Sequence, residues 1–205
     1  MATMGLGKHL KFSTLGCALA LTAAPLAAAQ PAAPGPIERP ALTSAMGECE
    51  TGAREGVLTG RALGACDVAL RSGELSDAIR ARVLVNRGVI ALQRNEAGPA
   101  LSDLEEAVRL APDLPRAWLS LSAARIKAGD VSGGLQAAER AVTLEVDQPA
   151  LAHFNMGVAH ETAGRYDAAY QSYMTAAQLA PDDALIRAQP RRFLRHQTDQ
   201  GGSAR

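Results

Sequence analysis

Residues 150–183 read ALAHFNMGVAHETAGRYDAAYQSYMTAAQLAPDD, and this stretch decides the fold. Two apolar-periodic runs, Leu151–Ala163 and Tyr166–Leu179, flank the polar pair Gly164-Arg165. Within each run apolar residues recur three and four apart, the period of a helix with one buried face. Pro181 stands just past the second run, where a helix must stop. The stretch predicts two antiparallel helices joined by a tight turn.

Moving outward, the same grammar recurs. A shift of 35 residues and then of 34 lays Ala176 on Ala141 and Ala107, and Leu179 on Leu144 and Leu110. Gly164 falls on Gly129 and Asn95, and Gly157 on Ser122 and Gly88. Three units follow, over 81–114, 115–149 and 150–183. One helix pair cannot bury its apolar faces alone, so neighbouring pairs must stack. The prediction is an all-α solenoid of stacked antiparallel helix pairs.

These positions together resemble the tetratricopeptide repeat (TPR) family, of the bacterial exported type. The third unit carries Met156-Gly157, Tyr166, Ala169, Tyr173, Ala176 and Pro181. The first carries Leu84, Gly88, Ala100, Leu104, Ala107 and Pro112. The middle unit has Trp118, Leu121, Ser122 and Ala141 but departs elsewhere. Gly134 stands for the first alanine, Ala138 for the large residue and Val146 for the proline. Gly133 and Gly134 each weaken a helix by roughly 1 kcal/mol relative to alanine. The middle pair is therefore expected to be looser, or to approach its neighbour closely. Ala62, Cys66, Ala69 and Leu70 mark a degenerate unit over 42–80, its first helix near Leu42–Gly56. Residues 184–198 read as a capping helix whose outer face carries Arg187, Arg191, Arg192 and Arg195; Pro190 inside it implies a kink or early stop. Residues 199–205 read as a disordered tail.

The N-terminus reads as an export signal over 1–29. Lys8, His9 and Lys11 are followed by the apolar run Phe12–Leu26 and by Ala27-Ala28-Ala29, with cleavage before Gln30. The alternative is a retained N-terminal membrane anchor. Leu15-Gly16-Cys17 only loosely resembles a lipidation motif, because the leucine stands one place too close to the cysteine. Residues 30–41, with Pro31, Pro34, Pro36 and Pro40, read as an extended linker. The expected location is periplasmic, with no membrane span after signal cleavage.

Composition agrees with packed helices. Hydrophobic residues make up 47% of the chain but aromatics only 3%, so alanine and leucine must fill the core. Charge is balanced, 21 basic against 21 acidic residues. Removing Lys8 and Lys11 leaves about −2, which gives no basic face for nucleic acid. Cys49 and Cys66 are the cysteines left after the signal. In an oxidising compartment they predict a disulfide worth on the order of 3 kcal/mol; the alternative is two buried free thiols. His153 and His160 are spaced for packing rather than for a metal, and Asp103, Glu105 and Glu106 read as a solvated helix face. The chain has no G-x-S-x-G, P-loop or C-x-x-C signature, so the expectation is a non-enzyme without cofactor or metal.

The resemblance implies that the first helices of successive repeats line a concave groove for a peptide or helix of another protein. Arg82, Val85, Asn86, Val89 and Gln93 would face it from one unit, and Arg116, Leu119, Ser120, Ala123 and Lys127 from the next. Phe154, Asn155, Val158 and Thr162 would complete it. Asparagine can donate to and accept from an extended backbone, and arginine can hold a carboxylate. The family's carboxylate clamp is incomplete, because Gly47 and Thr51 fill the first unit's places. Two roles remain: an envelope adaptor or scaffold working through the groove, or an assembly or secretion accessory working through its convex face or by oligomerisation.

Overall fold

The computed structural model describes residues 39–56 and 60–201, with side chains up to residue 193. The predicted signal, most of the linker and the last four residues lie outside the described residues. Among the described residues the chain is all-α: α1 (Arg39–Glu55), α2 (Gly60–Arg71), α3 (Asp77–Gln93), α4 (Ala97–Leu110), α5 (Pro115–Ala128), α6 (Val131–Thr143), α7 (Pro149–Thr162), α8 (Tyr166–Leu179) and α9 (Ala184–Gly201).

Local chemistry sets the boundaries. Pro115 and Pro149 open α5 and α7, where the missing N–H has no partner to lose. Ser76 caps α3, and Asp130 caps α6 by accepting from Gly133 N at 2.9 Å. At the hairpin turns, Asn95, Gly129 and Gly164 all adopt positive φ, at 66°, 92° and 72°. Each forms the same paired stop, as in Asn95 N to Leu92 O at 3.0 Å with Glu96 N to Ala91 O at 2.9 Å. Asparagine thus replaces glycine at a place where few L residues fit.

The helices stack as pairs, α1–α2, α3–α4, α5–α6 and α7–α8, with α9 closing the end against α8. First helices also touch one another in sequence, α1 to α3, α3 to α5 and α5 to α7, and this row forms the inner face. Leu84, Ile90, Leu104, Leu121 and Tyr173 are fully buried in a core built mostly from alanine. Each such side chain contributes about 1.5–3 kcal/mol. Close crossings make that packing possible. A methyl on Gly88 would lie 2.8 Å from Leu104 Cγ, and one on Gly157 would lie 2.6 Å from the Tyr173 ring.

The Cys49–Cys66 disulfide joins α1 to α2 with a Cα–Cα distance of 4.9 Å. Cys66 aligns with Leu104 and Tyr173, so the bridge occupies the crossing that α3–α4 and α7–α8 fill with a large side chain.

The structure differs from expectation at both ends of the helical stack. α1 begins at Arg39, inside the predicted linker, because Pro40 falls in the first turn of the helix, which needs no proline N–H. α9 continues through Pro190 to Gly201, past the predicted end at 198. The segment beyond the proline is held by Arg192, which donates to Glu161 at 2.7 Å, and by Phe193, 5.6 Å from the Tyr173 ring. Of the two expectations for the middle pair, the close approach is the one found: Gly134 is buried, and a methyl there would meet Ile126 Cγ1 at 2.5 Å and Ser122 O at 3.1 Å.

Candidate functional site

A cleft of about 270 Å³ opens on the inner row of helices. Its walls are Glu50 from α1; Arg82, Val85 and Asn86 from α3; Leu114, Pro115 and Arg116 at the start of α5; and Val146 and Asp147 before α7. Val85 and Val146 are buried and form an apolar floor. Asn86 is 8% exposed and presents an amide beside that floor. Arg82 and Arg116 are exposed and pair with no described residue, which leaves two guanidinium groups free to hold a carboxylate.

The outer wall exists because α6 ends unlike α4 and α8. Those two helices stop before Pro112 and Pro181. α6 stops at Glu145, which takes φ 57°. Glu145 N bonds Val142 O at 3.0 Å and Val146 N bonds Ala141 O at 3.2 Å. That stop turns Val146 inward, at 6% exposure against Leu119 and Ala152, and sets Asp147 on the rim.

Behind the cleft, α3 is fixed by Arg87. It donates to Asp103 at 2.8 and 2.7 Å and to Asp67 at 2.6 Å, tying α3 to α4 and α2. The fork on Asp103 above all holds the Arg87 guanidinium above its ordinary pKa, against the opposing effect of burial. This corrects the expectation for Asp103, which is buried in an ion pair rather than solvated. One helix read alone cannot show that a cation from another helix reaches its carboxylate. Further along, Gln93 donates to Ala53 O at 3.1 Å and links α3 to α1.

Of the predicted groove residues, Arg82, Val85, Asn86 and Arg116 come together at the cleft. Leu119 and Ser120 are buried, at 7% and 9% exposure. The Asn155 amide makes a long 3.5 Å contact to Leu119 O, so it serves the neighbouring helix. Phe154 packs edge-on against Tyr173 with ring centres 5.6 Å apart. Thr162 bonds its own helix at Val158 O, 2.8 Å away. Val89, Ala123, Lys127 and Val158 do not line the cleft. Glu50, Leu114, Val146 and Asp147 were not foreseen, since three of them lie in connections and one in the degenerate first pair. Among the described residues no group of His, Cys, Asp and Glu is arranged to hold a metal.

The family model for the tetratricopeptide repeat matches residues 150–183. Solved structures with the same arrangement include MamA (TM-score 0.61, 18% identity, covering 77% of this chain and 83% of that one). YrrB, described as a TPR protein with an unusual peptide-binding site, matches with TM-score 0.60 and 18% identity over 73% of this chain and 74% of its own. TTC0263, a thermophilic TPR protein of Thermus thermophilus, matches with TM-score 0.60 and 18% identity over 75% and 81%. No curated protein matches the chain at a significant level. Residues 150–183 thus match the tetratricopeptide repeat, and the chain shares the fold of these TPR structures, an all-α solenoid of helix pairs.

Proposed function

We propose that this protein is a protein–protein interaction module, an exported envelope adaptor or scaffold that holds an extended segment of a partner along its inner row of helices. The convergence of Arg82, Asn86 and Arg116 on one cleft with an apolar floor carries this reading. Asn86 is placed to satisfy a ligand's backbone, and the two arginines an acidic group. The use of this fold for peptide binding in YrrB agrees with it. Export is supported by the signal pattern of residues 1–29 and by the Cys49–Cys66 bridge, a bond suited to oxidising compartments. No described helix is long and apolar enough to cross a membrane.

Exposed Leu179 and Leu185, at 49% and 77%, favour the second reading, an accessory that docks through another surface. One pull-down from envelope extract separates the two. With Arg82→Ala, Asn86→Ala and Arg116→Ala combined, the adaptor reading requires the partner to be lost while helicity is kept. Loss instead on Leu179→Ser with Leu185→Ser supports the accessory.

A further inference from the structure

The charges of the cleft are ordered along the solenoid. Glu50 stands on the first pair, Arg82 on the second, Arg116 on the third and Asp147 at the approach to the fourth. The sequence along the row is acid, base, base, acid. All four side chains belong to exposed residues, and none pairs with a described residue. Elsewhere Arg61, Arg80, Arg87, Arg125 and Arg192 each find a carboxylate in the fold. The four cleft charges are the ones left open around one hollow.

Resting on the cleft reading above, we infer that the occupant is an extended protein segment with an acidic side chain flanked on both sides by basic ones. The acid sits between Arg82 and Arg116, and the flanking bases meet Glu50 and Asp147. A purely acidic segment is disfavoured, because its ends would face the two carboxylates. A purely basic one is disfavoured by the arginines at the centre. Adjacent helix axes lie about 9 Å apart, and an extended chain advances about 3.3 Å per residue. With the acid midway between α3 and α5, each flanking carboxylate lies about one and a half spacings away, so the flanking bases stand about four residues from the acid on either side. With 21 basic and 21 acidic residues the chain exerts little long-range pull, so selection rests on this local order.

Fluorescence anisotropy on the full chain tests this with three labelled peptides of equal length: glutamate flanked by two lysines, glutamate alone, and the reversed pattern of lysine flanked by glutamates. The lysine-flanked peptide should bind tightest, about fivefold or more above glutamate alone, the size of a well-set exposed ion pair. Glu50→Lys should weaken it about fivefold, and a peptide with one lysine changed to glutamate should recover that loss. Asp147→Lys should do the same for the opposite end of the peptide. Equal or tighter binding of glutamate alone overturns this inference and leaves the cleft reading standing. Failure of all three peptides to bind overturns both. Self-association abolished by Arg116→Gln would give the cleft to a second copy of the chain and overturn the inference likewise.

Discussion

In α3–α4 and α7–α8 a large side chain of the second helix, Leu104 or Tyr173, seats on a glycine of the first, Gly88 or Gly157. In α5–α6 the same two places hold Ser122 and Ala138, both fully buried. The close approach moves to Gly134, which lies against Ile126 and the backbone of Ser122. The outer pairs stop their second helices before a proline, whereas the middle pair stops at Glu145 in the left-handed region. By the sequence pattern the middle pair is the defective one. In the structure its departures bring the helices close together and place Val146 and Asp147 at the cleft. A repeat can lose its family's residues where the fold needs something local instead.

The largest expected effect lies in the first pair, whose crossing is a covalent bond. Cys49→Ala with Cys66→Ala should cost about 3 kcal/mol, read by urea unfolding, and reductant should do the same to the parent. A double variant as stable as the oxidised parent would show that small side chains alone suffice there. Next, Gly157→Ala forces a methyl into the Tyr173 ring and should cost about 2 kcal/mol. In Gly134→Ala the methyl meets Ile126 Cγ1 at 2.5 Å and the backbone of Ile126 and Ser122 at 3.1 Å, which outweighs the roughly 1 kcal/mol of helix propensity it gains, so the variant should lose about 1 kcal/mol. The reverse order would refute the contrast between the crossings.

The fold was legible because its signals are local. Three-and-four spacing, Pro112 and Pro181 past the helix ends, and the recurring Asn95, Gly129 and Gly164 each report on one turn of chain. The centre of the cleft was legible for the same reason, since Arg82, Asn86 and Arg116 recur by alignment. Its edges were not. Asp147 depends on how α6 stops, and Glu50 stands in the first helix at a place where the later repeats carry Val85, Leu119 and Phe154, so no recurring charge marks it. Asp103 was misread because its partner Arg87, which also holds Asp67, lies on another helix.

Two smaller effects sharpen the comparison. Glu145→Gly should stabilise the chain by about 1 kcal/mol, because glycine adopts positive φ without strain. Destabilisation on that change would mean that the Glu145 side chain itself holds the connection. Burial holds the imidazoles of His153 and His160 below their ordinary pKa of 6.5, with Arg165 adding to the effect at His160. The fold therefore prefers both neutral. Their contribution to stability is full above about pH 6.5 and is lost as the pH falls through their lowered folded values. His153→Gln with His160→Gln should flatten the drop in melting temperature between about pH 7 and 5, and an unchanged slope would assign that drop to other groups.

The central claim is that a partner segment lies in the cleft formed along α1, α3 and α5. Amide chemical-shift mapping of the full chain, titrated with the bound segment of its partner, tests that most directly. The largest shifts should cluster at Glu50, Arg82, Asn86, Arg116 and Asp147. Shifts confined to α4, α6 and α8, with those five unmoved, would contradict it.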